Sequence, residues 1–537
     1  MNDDKLNDIQ NQSPPNQPPS NPINNEVIFD NNKPLYETVT EESIPEDIPI
    51  ETVPDTENPS QSEILSPQPV VTSPTPKSSE GPAPIPEAPQ IQDIPTSGGA
   101  PPPIYEEHRN KFLFIGLGGL FFLIIFFLII RLFVGGGGDK KNAKVTLTYW
   151  GLWEDKAVFE PLISEYKRKN PNVDITYIKM SPQDYRAKLL ARSKDGKGPD
   201  IFRFHNTWLP SIKEVVAPLP DNIISANEYK STFYPVTETD LKVGKNYYGI
   251  PLEIDGLILV YNDELFKKAG IQVAPKTWED ILDSASKLTV KDQSGKIITS
   301  GLALGTASNI DHFSDIFGWM LLQNGGDLKN ISNAEGQGTL ELYRKFAEQP
   351  NNIWDADMPN SINAFVQRKV AMIIVPSWQV LVIKQQDPDI SLKTSVLPVL
   401  PGGTTISLAN YWVEGVSRYS KNQIEAWKFL HFLSQKENMT KLYGEMTKIK
   451  PYGEPYSRVD LGSLLEQEPN IGPVIQQAKG MKSLPLVSKT YDNGMNDEII
   501  KYLEDAINKT EQGVSYQDAL STAQKGIEQV YTKYKVE

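Results

Sequence analysis

Residues 144–205, KVTLTYWGLWEDKAVFEPLISEYKRKNPNVDITYIKMSPQDYRAKLLARSKDGKGPDIFRFH, decide the fold. Lys144 to Trp150 alternates, with Val145, Leu147 and Tyr149 on one side and Thr146, Thr148 and Trp150 on the other, which is the period of a strand. Phe159, Leu162, Ile163 and Tyr166 then recur at the spacing of a helix face. Asn172 to Ile178 alternates again through Val173, Ile175 and Tyr177. Ser181-Pro182 reads as a helix start, with serine as N-cap and proline at the first helical position. Gly196 and Gly198 read as its stop, and Ile201 to Phe204 is a third strand. Strand, helix, strand, helix and strand within so short a span predict a right-handed parallel α/β unit.

The same texture continues toward the C-terminus. Gly249 to Tyr261 holds an extended run ending in LILVY, and Asp263 to Lys268 is a short helix closed by Gly270. Thr277-Trp278-Glu279-Asp280 has the form of a capping box opening a helix with Trp278, Ile281, Leu282, Ala285 and Leu288 on its apolar face. Val370 to Val375 reads as a buried strand. Ser420 with Gln423 caps a helix carrying Ala426, Phe429, Leu430 and Leu433, and the chain ends in two more helices. Such a length of α/β pattern, 143–537, exceeds one core, so two lobes are expected.

Toward the N-terminus the composition changes. Gly135 to Gly138 marks a flexible linker, 135–142. Before it, Phe112 to Ile130 reads FLFIGLGGLFFLIIFFLII and carries no charge. At 1.5 Å per residue this run matches a hydrocarbon core of about 30 Å. A buried core helix is usually shorter and keeps polar residues on one side, so 112–134 is expected to be a transmembrane helix in the lipid bilayer. It starts too late and runs too long for a cleaved signal peptide. Residues 1–103 hold 22 of the 43 prolines and no apolar periodicity. Residues 1–107 carry 19 Asp/Glu and 3 Lys/Arg, a net charge of −16 against −15 for the whole chain, so the remainder is near +1. Residues 1–110 are therefore expected to form a disordered acidic, proline-rich tail. No basic stripe points to nucleic acid. The absence of cysteine removes disulfides, thiolate chemistry, cysteine–zinc sites and a lipidated cysteine anchor.

Ligands of open parallel sheets bind beyond the carboxyl ends of the strands. Trp150, Trp153 and Glu154 follow the first strand, and Arg203, His205, Asn206, Thr207 and Trp208 the third. Trp378 follows the strand at 370–375, while Tyr411 and Trp412 flank an extended run before Gly415. A tryptophan face beside hydrogen-bonding side chains suits a sugar, which has an apolar C–H face and a polar rim. Trp278 and Trp427 lie on apolar helix faces and read as core, Trp354 in a polar loop is given no role, and His205 reads as a structural histidine.

These residues carry a family resemblance. LTYWGLWED, GPDIFRFHNTW (198–208), YYGIPLEIDGLILVYNDELFKKAGI (247–271), PKTWEDILDSASKLT (275–289), GWMLLQNGGDL (318–328) and SRYSKNQIEAWKFLHFLS (417–434) resemble, in order, the signature segments of the family 1 ABC-transporter extracellular solute-binding proteins, the maltose-binding-protein-like group. The resemblance covers about 143–537. It implies an α/β, two-lobe periplasmic-binding-protein-like (type II) fold with a hinge, lobe one being about 143–252 and 409–450 and lobe two about 255–405 and 455–537. It implies a mono- or oligosaccharide ligand and delivery to the membrane subunits of an ABC importer. The sequence has no G-x-S-x-G, H-E-x-x-H or Walker A motif and its four histidines are not paired for metal, so no catalysis, cofactor or metal is expected. By position it implies ligand-binding roles for Trp153, Glu154, Arg203, Asn206, Thr207, Asp255 and Trp378, with Trp319 and Trp412 as weaker candidates. Glu253, two residues from Asp255, shares its strand face. The tail and membrane helix depart from the family, whose members mostly begin with a cleaved signal. The helix is expected to be a single-pass anchor with the tail in the cytoplasm and the binding domain outside. Arg131, Lys140, Lys141 and Lys144 against Arg109 and Lys111 oppose that orientation under the positive-inside rule, but large domains translocate largely regardless of charge.

Two other readings compete. Glu253 and Asp255 as a glycosidase pair fails because neighbouring acids on one strand cannot flank a bond from opposite faces. Ser284-Ala-Ser-Lys287 matches S-x-x-K without companion motifs. A sensor would use the same cleft but need an output domain, and none is recognisable in the tail.

Overall fold

The computed structural model describes residues 144–536 apart from 351, 401, 402 and 404. The expected tail, membrane helix and linker, 1–142, lie outside the described residues. Among the described residues, no helix is long and apolar enough to cross a membrane.

The opening unit forms as the periodicities dictate. β1 (Val145–Gly151), α1 (Lys156–Lys169), β2 (Val173–Lys179), α2 (Tyr185–Lys194) and β3 (Ile201–His205) follow one another, and β1 lies parallel to both β2 and β3. α1 buries Val158, Phe159, Leu162, Ile163 and Tyr166, and the Phe159 ring stacks on Tyr177 at 4.7 Å. The expected start of α2 is corrected. Ser181 does not cap it; its hydroxyl bonds Gln183 instead. Asp184, at φ 57°, turns the chain in left-handed geometry, and the helix begins only at Tyr185. Its end is as expected: Gly196 takes φ +67°, and the Lys197 N–H reaches back to the Arg192 carbonyl, a glycine-terminated helix end.

α3 (Pro235–Leu241) leads into a hairpin of β4 (Lys242–Val243) and β5 (Asn246–Tyr247), then β6 (Ile250–Pro251). The chain next enters a second sheet at β7 (Leu257–Asn262), followed by α4 (Asp263–Lys268) and α5 (Trp278–Leu288). The capping box at Thr277 and Asp280 is complete. β8 (Val290–Lys291), β9 (Ile297–Leu302), α6 (Phe313–Gln323), α7 (Ala334–Lys345), β10 (Val370–Pro376), α8 (Gln379–Gln386) and β11 (Leu392–Ser395) complete that half. β12 (Ser407–Leu408) and β13 (Trp412–Val416) carry the chain back, and α9 (Gln423–Leu433) and α10 (Lys436–Met446) pack on the first sheet. Ser420 does not cap α9. Its hydroxyl donates to Asp200 and accepts from the Asn422 N–H, so Asn422 takes the N-cap position without a side-chain cap bond. β14 (Met481–Lys482) pairs with β12, and α11 (Met495–Glu511) and α12 (Tyr516–Tyr534) close the chain.

Two five-stranded sheets result, ordered β2-β1-β3-β13-β6 and β11-β7-β10-β9-β8. Each mixes parallel pairs with antiparallel strands: β13 runs against β3 and β6, and β7 against β10 and β11. The first sheet is buried on both faces, by Leu147, Tyr149 and Trp427 on one side and by Trp150, Phe202 and Phe204 on the other. Burial is complete along the central β3, whereas the edge strand β2 keeps one face partly exposed and alternates, VDITYIK. Between the sheets the chain crosses at 252–256 and again at 409–411; a Gly256–Ala409 bridge ties these crossings together, and a Glu253–Tyr456 bridge ties the first to the segment after α10. This is the two-lobe α/β fold of periplasmic binding proteins. Trp278 and Trp427 are core, as their helix faces indicated. Trp354 lies in a loop, as expected, and is fully buried there, its ring N–H held by Thr306 and Asn309.

Candidate functional site

The crossing at 252–256 delivers two acids to one cleft of about 440 Å³. Each acid holds the backbone of a tryptophan. The Asp255 carboxylate accepts the N–H groups of Gly256 at 2.7 Å and of Ser377 and Trp378 at 3.3 Å, which fixes the turn from β10 into α8. Glu253 accepts the Trp412 N–H at 3.3 Å. Burial raises both: Asp255 to about 7, and Glu253 well above the carboxylate range, with Glu454 adding to the effect against the pull of Arg203.

Beneath Trp153 lies a buried ion triad. Arg203 on β3 stands opposite Glu414 on antiparallel β13. Its guanidinium donates to Glu414 at 2.7 Å and to Glu154 at 2.5 Å, and the Arg203 and Glu414 side chains are about 1% exposed. Burial opposes the Arg203 charge, but Glu154, Glu414 and Glu253 hold its pKa well above the ordinary value. Burial raises Glu414 despite Arg203. The triad and a Tyr177 hydroxyl bond to the Glu154 carbonyl fix the loop carrying Trp153.

The walls are aromatic. Trp153, 37% exposed, meets Trp412 edge-on at 5.4 Å and Tyr491 at 5.9 Å. Trp378 stands elsewhere on the wall with its ring against His312 at 5.6 Å. Of the residues expected at a ligand site, Trp153, Glu154, Glu253, Asp255, Trp378 and Trp412 line this cleft. The others lie behind it. Trp150 packs in the core beside Tyr185. Trp319 stacks on Trp278 at 5.4 Å and donates to the Ile406 carbonyl. Arg203 is sealed in its triad. Asn206 and Tyr411 share Asp240, and Asn206 also reaches Ser483. Thr207 accepts from Asn496.

His205 supports the wall from behind. Its Nδ1 accepts the Thr207 N–H and its Nε2 faces Asn410 Oδ1 at 3.1 Å, so the proton belongs on Nε2 and the ring is neutral. Asn410 lines the cleft. Burial lowers the His205 pKa from 6.5 to about 4. The unfolded chain thus binds the proton first, and the stability this residue contributes is present above pH 6.5 and lost as the pH falls through 4. His205→Gln is expected to flatten that part of the stability profile in denaturant titrations between pH 7 and 4; an unchanged slope would count against this role.

Sequence reasoning did not find Lys450, Glu454, Asn410 or Tyr491, all of which line the cleft. Lys450 pairs with Glu454. Burial works against its charge, yet Glu454, Glu154 and Glu253 raise it. Tyr491 sits on an unusual segment in which Lys489, Tyr491 and Asn493 all have positive φ, 58°, 58° and 44°. Each such residue costs about 1–3 kcal/mol and persists only where its surroundings impose it. Here hydrogen bonds from the Ser488 N–H to Asp315, from Lys489 to Asp311 and from the Gly494 and Asn496 N–H groups to Asp492 impose it.

Two α/β lobes, strands crossing between them and a cleft at the crossings define a two-lobe solute-binding protein. The chain belongs to the family of bacterial extracellular solute-binding proteins, which it matches over residues 161–452. It is 24% identical over 317 residues to the multiple sugar-binding protein of Streptococcus mutans, covering 56% of this chain and 74% of that one. The fold matches the cyclic α-maltosyl-1,6-maltose binding protein of Arthrobacter globiformis, with a TM-score of 0.60, 19% identity and coverage of 73% and 100% of the two chains. It also matches the sugar-binding protein MalE of Xanthomonas citri, with a TM-score of 0.60, 18% identity and coverage of 73% and 98%.

Proposed function

We propose that this protein captures a mono- or oligosaccharide between its lobes and passes it to the membrane subunits of an ABC importer, without catalysing a reaction. The observation that carries this reading is the cleft itself: Trp153, Trp412, Tyr491 and Trp378 offer flat apolar faces, and Glu154, Glu253 and Asn410 offer polar groups among them. Stacking and edge hydrogen bonds together recognise a pyranose ring. The S. mutans, A. globiformis and X. citri proteins are named for binding sugars, which supports the same ligand class. Trp378 is the main stacking residue, and the two lobes, about 143–252 with 409–450 and about 255–405 with 455–537, close about the crossings. Closure follows to the extent that the ligand touches both lobes.

The membrane helix at 112–134 tethers this domain outside the cell through the linker, with the tail inside. Protease added to intact cells is expected to digest 143–537 and spare the tail; a protected domain would reverse the topology. Delivery is tested by labelled-sugar uptake in cells lacking this chain and by co-purification. Loss of uptake and recovery of transporter subunits support the importer, whereas normal uptake with a signalling protein bound to the tail would refute it.

A further inference from the structure

One face of α8 defines the ligand more narrowly. Trp378, Leu381, Val382 and Gln385 all line the cleft, and spacings of three, four and seven put them on one side of the helix. From Trp378 to Gln385 is about 10 Å along the axis. Between these two the lining is aliphatic, and no ionisable side chain of α8 reaches the cleft. Met446 and Ile449, three residues apart at and beyond the end of α10, bring two more apolar side chains to the same cavity. Ile449 is 61% exposed, among the most exposed large apolar side chains of the described residues.

A second sugar unit beside one stacked on Trp378 does not suit these neighbours. Hydroxyls pressed against Leu381, Val382 and Ile449 would lose water without gaining partners. The aliphatic surface is continuous with the Trp378 platform through the helix, and a volume of about 440 Å³ lies within the usual 300–1,000 Å³ range of ligand pockets. From this continuity we infer that the cleft takes a glycoside: the sugar ring stacks on Trp378, and an apolar aglycone lies along Leu381 and Val382 with Met446 and Ile449 against it. This rests on the carbohydrate reading above.

Calorimetric titration of the full chain with methyl and phenyl glycosides of glucose, galactose, mannose and xylose, both anomers, tests it. At least one phenyl glycoside is expected to bind roughly ten-fold more tightly than its methyl counterpart, from the apolar area covered. In Ile449→Ser and Leu381→Ser that ratio is expected to fall toward one. Ile449 is exposed, so its replacement leaves the fold intact. Equal methyl and phenyl binding, or a phenyl preference untouched by both substitutions, overturns the aglycone site and leaves the carbohydrate reading standing. Absence of binding by every glycoside, and by a parallel panel of free oligosaccharides, overturns both.

Discussion

Arg203→Met is expected to destabilise the protein by about 3–5 kcal/mol, measured by denaturant unfolding near neutral pH. The substitution removes the only cation bonded to Glu154 and Glu414 among the described residues and leaves Glu414 buried without a counter-charge behind Glu154 on the cleft wall. The deficit should shrink on acidification. Burial already raises Glu414, and without Arg203 its proton is taken up at still higher pH. Replacing Glu154 and Glu414 by apolar residues together with Arg203 should restore most of the loss, because a buried ion triad and a well-packed apolar cluster are of similar stability. A loss below about 1 kcal/mol for the single substitution would show that the triad is not the support of the Trp153 loop.

Trp378→Ala is expected to weaken ligand binding about 100-fold, the scale of a central aromatic anchor, with little change in unfolding free energy. The ring is only half-buried and stands clear of the main core, while its backbone is held by Asp255. Trp378→Phe keeps a smaller platform and should lose much less. Equal affinity for wild type and the alanine variant, titrated with the same sugar, would move the platform elsewhere, with Trp153 and Tyr491 as the next surface.

The fold was legible where local rules suffice. Alternation through Val145, Leu147 and Tyr149 and the helical spacing of Phe159, Leu162, Ile163 and Tyr166 do not depend on distant partners, and both elements form where they were expected. Helix starts were less legible because capping side chains choose among partners that sequence does not show. Ser420 prefers Asp200, 220 residues away. Position at a strand end placed Trp153 and Trp378 at the cleft, yet it also nominated Trp150. That failed because the face of β1 that carries Trp150 is covered by the core along with Phe202 of β3, and alternation cannot tell a cleft face from a core face. Trp319 was nominated only by its position in the family resemblance and is a core ring against Trp278. Tyr491 carried no signal at all. Of the three non-glycine residues in left-handed geometry only Asn493 is of a type that favours it; at Lys489 and Tyr491 it is imposed by hydrogen bonds that their side chains do not announce.

The central claim is that the cleft between the lobes binds a carbohydrate. Calorimetric titration of the full-length protein with neutral mono- and oligosaccharides, and with amino acids and short peptides alongside, tests it most directly. The expected result is one-to-one binding of at least one sugar, abolished or strongly weakened in Trp378→Ala, and no heat with the amino acids and peptides. Binding of an amino acid or peptide with no response to any sugar would contradict it.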